Sequence, residues 1–258
     1  MAGARTRHES EPLPRLLLIG AGRTEIGSAA DGPPSEKDLS GAALPLLVDR
    51  LLERFEGGLF PSGDRQYEIA GTARFDQIFL MGERGAADGP RRGDERKIGF
   101  AMLQADLRGC HGLVILIDRE SLNQPDRASR LKDGRCSYRQ KAGDAKAMPC
   151  AIGACCRCVE TWLLADREAL RHVFGPDADD PFTGDPEERP SADKLKSLIA
   201  GWAQEAGIED YQAREDLARH ARPEELRRRC RTSYPPFADD VVAEIGPVIR
   251  QRPRLSTE

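Results

Sequence analysis

The chain is 258 residues long, yet it has no apolar run approaching the roughly 20 residues that span a bilayer. Its N-terminal stretch lacks the apolar core of a secretory leader. No membrane association is expected. Positive charge is not in excess either. The net charge is −4 and the pI about 5.7, so any nucleic-acid contact must use a local basic patch and not the surface as a whole. Gly20 and Gly22 lack the third glycine of a dinucleotide fingerprint, whose place Glu25 holds, and no Gly-Lys-Ser/Thr follows. Those two kinds of nucleotide binding are therefore set aside. The cysteines Cys110, Cys136, Cys150, Cys155, Cys156, Cys158 and Cys230 make an odd set without a second Cys-x2-Cys arm or a histidine pair. Free thiols in a reducing cytoplasm are the expectation, ahead of zinc. No histidine can be assigned as the partner of a thiol nucleophile.

What the chain does have is acidic residues where strands should end. Leu16 to Ile19 is an apolar run that stops at Gly20-Ala21-Gly22-Arg23-Thr24-Glu25, and Leu113 to Ile117 stops at Asp118-Arg119-Glu120. Short apolar runs bounded by glycine or charge read as strands buried on both faces. In an open parallel sheet, ligands bind beyond the carboxyl ends of the strands. Carboxylates delivered there can share a hard cation such as Mg2+. Further strands are expected at 66–70, 77–81 and 148–152, and helices at 39–55 and 98–108. The glycine- and charge-rich stretch 82–96 reads as mobile, and 121–146 as polar with a short helix at 126–132. This alternation predicts an α/β domain over 15–175, with a mostly parallel sheet flanked by helices.

The strongest helical pattern runs from Val159 toward Gly175-Pro176. At about 100° per residue, Val159, Trp162, Leu163, Leu170 and Val173 form one stripe, with Asp166 inside it and Glu160 at its edge. A carboxylate on a buried face needs a partner. Asp166 either caps a backbone or pairs with an arginine, or one of Glu160 and Asp166 faces the strand-end crevice. Residues 176–190 read as a loop, and helices at 191–205, 211–219, 223–231 and 237–250 form a C-terminal extension over 176–258, packed on the sheet. Its arginines (Arg214, Arg219, Arg222, Arg227, Arg228, Arg229 and Arg231) suit either a phosphate backbone or a face that balances the neighbouring acids, the second being favoured.

These residues together resemble the bacterial Toprim-related family called domain of unknown function 4276. The likeness rests on the glycine-and-acid segment after the first strand, the Asp118-Arg119-Glu120 pair, and the run Val-Glu-Thr-Trp-Leu-Leu-Ala-Asp-Arg-Glu-Ala-Leu at 159–170. Asp193-Lys194-Leu195, Asp216-Leu217-Ala218, Leu226 to Cys230 and Pro236-Phe237 extend it over roughly 15–245. The resemblance implies a Toprim-like fold, kin to the nucleases of the overcoming-lysogenization-defect family. It implies Mg2+ or Mn2+ held by Asp118, Glu120 and Glu25, catalytic roles for Glu25 and Glu160, and cleavage of nucleic-acid phosphodiesters. It also implies an anti-phage effector role beside an ABC-type or related ATPase. The pattern departs at Ala21, where the family carries its first Glu. That departure supports an alternative, a degenerate adaptor that binds a partner protein or nucleic acid without cleaving it.

Overall fold

The computed structural model describes residues 13–22, 42–55, 67–75, 78, 90–119, 126–143, 148–188 and 191–250. It is an α/β structure with a four-stranded, all-parallel sheet. The strands are β1 (Arg15–Gly20), β2 (Glu68–Arg74), β3 (Gly112–Arg119) and β4 (Cys150–Cys156), in spatial order β2-β1-β3-β4. The direction of strand progression reverses between β1 and β3, so the crevice beyond their carboxyl ends is the switch point where open α/β sheets bind ligands.

The sheet has one helical layer on each face, and side-chain alternation assigns the strands to both. Leu16, Leu18, Val114, Leu116, Ala151 and Cys155 point to one core cluster. Leu17, Ile19, Leu113, Ile115, Ile117, Cys150 and Ile152 point to the other. This is the period-2 geometry of a strand buried on both sides. The first cluster is closed by α1 (Ala43–Phe55) and by the C-terminal helices: α4 (Glu160–Leu163), α5 (Arg167–Phe174), α6 (Ala192–Ala206), α7 (Asp210–His220), α8 (Pro223–Arg229), α9 (Tyr234–Glu244) and α10 (Gly246–Arg250). The second is closed by α2 (Pro90–Leu107) and α3 (Asp126–Ala142).

The layers fit closely. A side chain at Gly153 would place its Cβ 2.4 Å from Phe237 and 2.8 Å from Leu116, so only glycine lets α9 lie on β4. Trp162 packs edge-on against Tyr234 at 5.0 Å and stacks on Phe237 at 5.4 Å, while its indole N–H donates to Ser233 Oγ at 2.8 Å. The exposed edge of β4 is sealed by side chains. Ile152 N–H donates to Asp240 at 2.7 Å and Cys150 N–H to Glu244 at 3.3 Å. Arg135 Nη1 donates to Cys150 C=O at 2.6 Å and to Asp240 at 2.8 Å, and Arg139 holds Glu244. These contacts occupy backbone groups that would otherwise template another strand.

Several elements differ from the sequence expectation. The stretch expected as mobile, 82–96, contributes the first turns of α2, which starts at Pro90, a residue tolerated at a helix start. The helix expected at 126–132 continues to Ala142. Ala128, Leu131 and Tyr138 pack toward the core with Gly134 and Arg135 between them, so burial on α3 combines a short apolar stripe with a glycine contact and paired charge. The second strand lies at Glu68–Arg74, displaced from 66–70. The strand expected at 77–81 lies almost wholly outside the described residues, and Ile78 within it is not in a strand. The helix from Val159 is not continuous. It breaks after Leu163 and restarts at Arg167, because Asp166 adopts extended backbone and caps α5. The last predicted helix divides at Ile245 into α9 and α10.

Candidate functional site

The candidate residues lie at the carboxyl ends of β3 and β4, on the β3 side of the β1–β3 switch point. Asp118 is the penultimate residue of β3 and pairs in register with Cys155 of β4. Past Cys156 the chain turns through Arg157, the one non-glycine among the described residues with a left-handed backbone (φ 69°). Arg157 N–H still reaches Arg119 C=O at 2.8 Å, and Cys158 N–H bonds Cys156 C=O at 3.0 Å. That tight turn carries Cys158 and Glu160 back toward the end of β3. Strained backbone of this kind concentrates where a site needs a particular geometry.

The Cys158 thiol is pushed well up, first by burial, then by the charge of Glu160 and a hydrogen bond with it, then by the charge of Asp118; Lys196 opposes them. Glu160, the first residue of α4, is the side chain that hydrogen-bonds with this thiol, while Asp118 at the end of β3 and Lys196 of α6 act on it through charge alone. Glu160 is fully buried, and Arg214 from α7 holds its Oε1 through Nε at 3.4 Å while also pairing with Asp210. Asp118 is half-buried. Its backbone C=O accepts from Arg127 Nη1 at 2.8 Å, and Arg127 also pairs with Asp94 at 3.2 Å. Lys196 is exposed at the surface.

Of the residues expected from sequence, Asp118 lies near the end of β3 and Glu160 at the start of α4, just past the turn that follows the neighbouring strand β4. Glu25, Glu120 and Arg23 lie outside the described residues. Ala21, in the bend just after β1, is half-buried. Asp166 belongs elsewhere. It is fully buried, and its Oδ1 accepts from Glu168 N–H at 3.0 Å. Arg222 grips both its oxygens, with Nη2 to Oδ1 at 2.7 Å and Nε to Oδ2 at 2.9 Å. Capping and arginine pairing, offered by the sequence as alternatives, both operate at this residue. Cys158, Lys196 and Arg214 were not singled out for the site from sequence. Arg214 follows the buried Ala213 and precedes the buried Leu217, so its place beside an inward stripe is legible, but its partner 54 positions upstream is not.

The cysteines do not gather. Cys150 belongs to one core cluster, and Cys155, Cys158 and Cys230 to the other, across the sheet. All seven are free, and burial raises the thiols of Cys150 to about 12 and Cys156 to about 11. Among the described residues there is no group of three or more His, Cys, Asp or Glu side chains placed to hold a metal, and no helix is long and apolar enough to cross a membrane.

The C-terminal arginines are largely committed within the chain. Arg219 pairs with Glu215 at 2.6 Å, Arg227 with Asp239 at 2.7 Å, Arg228 with Glu225 at 2.5 Å and Arg229 with Asp180 at 2.6 Å. With Arg214 and Arg222 engaged as above, this face is a lattice of internal pairs. No protein-family model matches the chain, and comparison with curated proteins and with solved structures found no match.

Proposed function

We propose that the chain is a Toprim-like, Mg2+-dependent nuclease of the family it resembles, working at the β1–β3 switch point with Asp118 as a metal ligand. The observation that supports the reading is the place of Asp118, the penultimate residue of β3, at the carboxyl end of a central strand beside the switch point. The donor chemistry fits a hard cation. The carboxylates offer oxygen ligands, while the buried thiol stays protonated and is a poor competitor for Mg2+. Asp118 would hold the ion, with Glu120 and Glu25 as its further ligands. Bound there, Mg2+ supplies a Lewis acid for a phosphodiester oxygen and a source of hydroxide.

The remaining roles fall to the protein. Lys196, at the surface beside this neighbourhood, offsets the charge that builds on the transferring phosphoryl group. Glu160, held by Arg214, is a positioning residue that keeps Cys158 in place and the turn after β4 closed. This revises its expected catalytic role, because a carboxylate sealed in the interior and paired to arginine is poorly placed to pass a proton to water. Glu25 is left as the candidate for proton transfer. A cytoplasmic effector role in phage defence, with an ABC-type or related ATPase as partner, belongs to the same proposal.

A second reading has its own support. Ala21 stands where the Toprim pattern carries its first Glu, and the inward-facing Glu160 does not replace it. On that reading the chain is an adaptor that binds without cleaving.

The deciding experiment measures cleavage of DNA and of RNA with Mg2+ and with Mn2+, for wild type, Asp118→Ala and Glu120→Ala. Nuclease chemistry at this site requires wild-type activity that both substitutions abolish. Activity surviving both moves the site elsewhere, and nucleic-acid binding without cleavage favours the adaptor.

A further inference from the structure

The backbone at the end of β3 fixes which way Asp118 faces. In a strand, successive peptide groups point to alternate edges and successive side chains to alternate faces. Leu113 N–H donates to Pro149 C=O at 2.9 Å, and Arg119 C=O accepts from Arg157 N–H at 2.8 Å, both on the β4 side. The even-numbered residues of β3 therefore turn their backbone groups toward β1. β1 ends at Gly20, whose partner in β3 is Leu116. Asp118 lies past that point, so its carbonyl faces the space beyond the end of β1, at the switch point. Its side chain continues the face of Val114 and Leu116, which is the face of the C-terminal helices.

The carbonyl that β1 no longer pairs is taken up from the opposite layer. Arg127, in the first turn of α3, donates from Nη1 to Asp118 C=O at 2.8 Å. The same guanidinium donates from Nε to Asp94 of α2 at 3.2 Å, and it lies over the Phe75 ring, 5.9 Å from the centroid. Phe75 is buried directly after β2. Asp94 is held in turn by Arg130 of α3 at 3.6 Å. One planar group thus ties the end of β3 to α2 and to the end of β2, across the gap that β1 leaves.

Helix stability does not account for this placement, because a cation in the first turn opposes the helix dipole. A lysine would not reproduce it. The bridge uses two nitrogens of a rigid fork, and an ammonium is a point charge on a flexible stem. Arg127 reaches the main chain of Asp118 from one face of the sheet, while the carboxylate leaves on the other.

We infer that Arg127 is a positioning residue for the candidate metal site: by locking the Asp118 carbonyl to Asp94 and Phe75, it sets the direction in which the Asp118 carboxylate leaves β3. The inference rests on the nuclease reading, which makes Asp118 a metal ligand.

The test is titration of the full chain with Mn2+ in the absence of nucleic acid, following the electron paramagnetic resonance signal of the free ion. Wild type is expected to bind Mn2+, and Asp118→Ala to lose it. Arg127→Met keeps an apolar stem without donors and should weaken Mn2+ binding about 10–100-fold, the usual cost of removing a group that orients a ligand. Arg127→Lys should fall between the two, and Asp94→Asn, which loosens the far end of the bridge, should cost less than Arg127→Met. Circular dichroism should match wild type for each. Binding of a DNA oligonucleotide in EDTA should be unchanged by all three, because this guanidinium serves the main chain and not a phosphate. A wild type that binds no Mn2+ overturns the nuclease reading and this inference with it. Wild-type binding that is lost in Asp118→Ala but kept in a folded Arg127→Met overturns the inference alone. Where Arg127→Met does not fold, wild-type Mn2+ affinity in both Arg127→Lys and Asp94→Asn overturns it. Loss of DNA binding in EDTA with Mn2+ affinity intact overturns it as well, and makes Arg127 a phosphate contact.

Discussion

On one face of the sheet, Trp162, Tyr234 and Phe237 are among the largest fully buried side chains of the protein, and the arginines around them are taken up by carboxylates. On the other face, α2 leaves Leu103 and Leu107 in solvent, and α3 holds to the sheet with few apolar side chains. Both layers cover the same four strands. The first buries its large aromatic cluster and pairs most of its arginines internally, with Tyr211 its one large apolar side chain left exposed among the described residues. The second leaves Leu103 and Leu107 of one helix in solvent and is tied to the first layer through Arg135 and Arg139, so one layer rests mainly on apolar burial and the other leans on paired charge.

The comparison is tested hardest at Trp162. Truncation to Ala removes the contacts with Tyr234 and Phe237 and strands the hydrogen bond to Ser233. A loss of about 3–5 kcal/mol in urea-unfolding free energy is expected. Asp166→Ala comes next. It removes the cap of α5 and the partner of Arg222, and about 2–3 kcal/mol should be lost, with Arg222 spared the full cost of isolation by its partial exposure.

A pH series sharpens the contrast further. Burial alone would raise the Glu244 carboxyl, but hydrogen bonding from Arg139, the charges of Arg135 and Arg139 and the Cys150 N–H outweigh it, so the net shift is downward. A depressed carboxyl stabilises the fold above its unfolded value and loses that contribution as pH falls through the folded value. Glu244→Gln should therefore lower stability at neutral pH and flatten the acid limb below about pH 4.5, the ordinary range of a glutamate, when unfolding is followed against pH. The smallest effect belongs to the other layer. Leu107→Ser should change unfolding free energy by no more than about 0.5 kcal/mol. A larger loss there would mean that α2 also spends its outer face internally, and the contrast would collapse.

The sheet was legible in the sequence where its residues speak locally. Leu16–Ile19 and Leu113–Ile117 are apolar runs with a stop, and both are strands. The layer of α2 and α3 was poorly legible. Its helices are polar in sequence, and what holds them is long-range: Arg135 and Arg139 meet Asp240 and Glu244 each 105 positions away. The site divides the same way. Asp118 was visible from its place at the end of an apolar run. That Glu160 would be sealed by Arg214 was not, since no periodicity encodes which of many arginines turns inward. The break at Asp166 was hidden because both half-helices share one stripe, so the pattern runs straight through the residue that interrupts it.

The side-chain seal on β4 also has a consequence in time. Ile152 waits for Asp240, which follows it by 88 positions. At a synthesis rate of roughly 5–20 residues per second, that interval is roughly 4–18 s on the ribosome. Through those seconds the nascent strand presents a bare hydrogen-bonding ladder, and neighbouring chains on a polysome carry the same one. That interval, more than the finished molecule, is when the β4 edge is open to pairing with another strand.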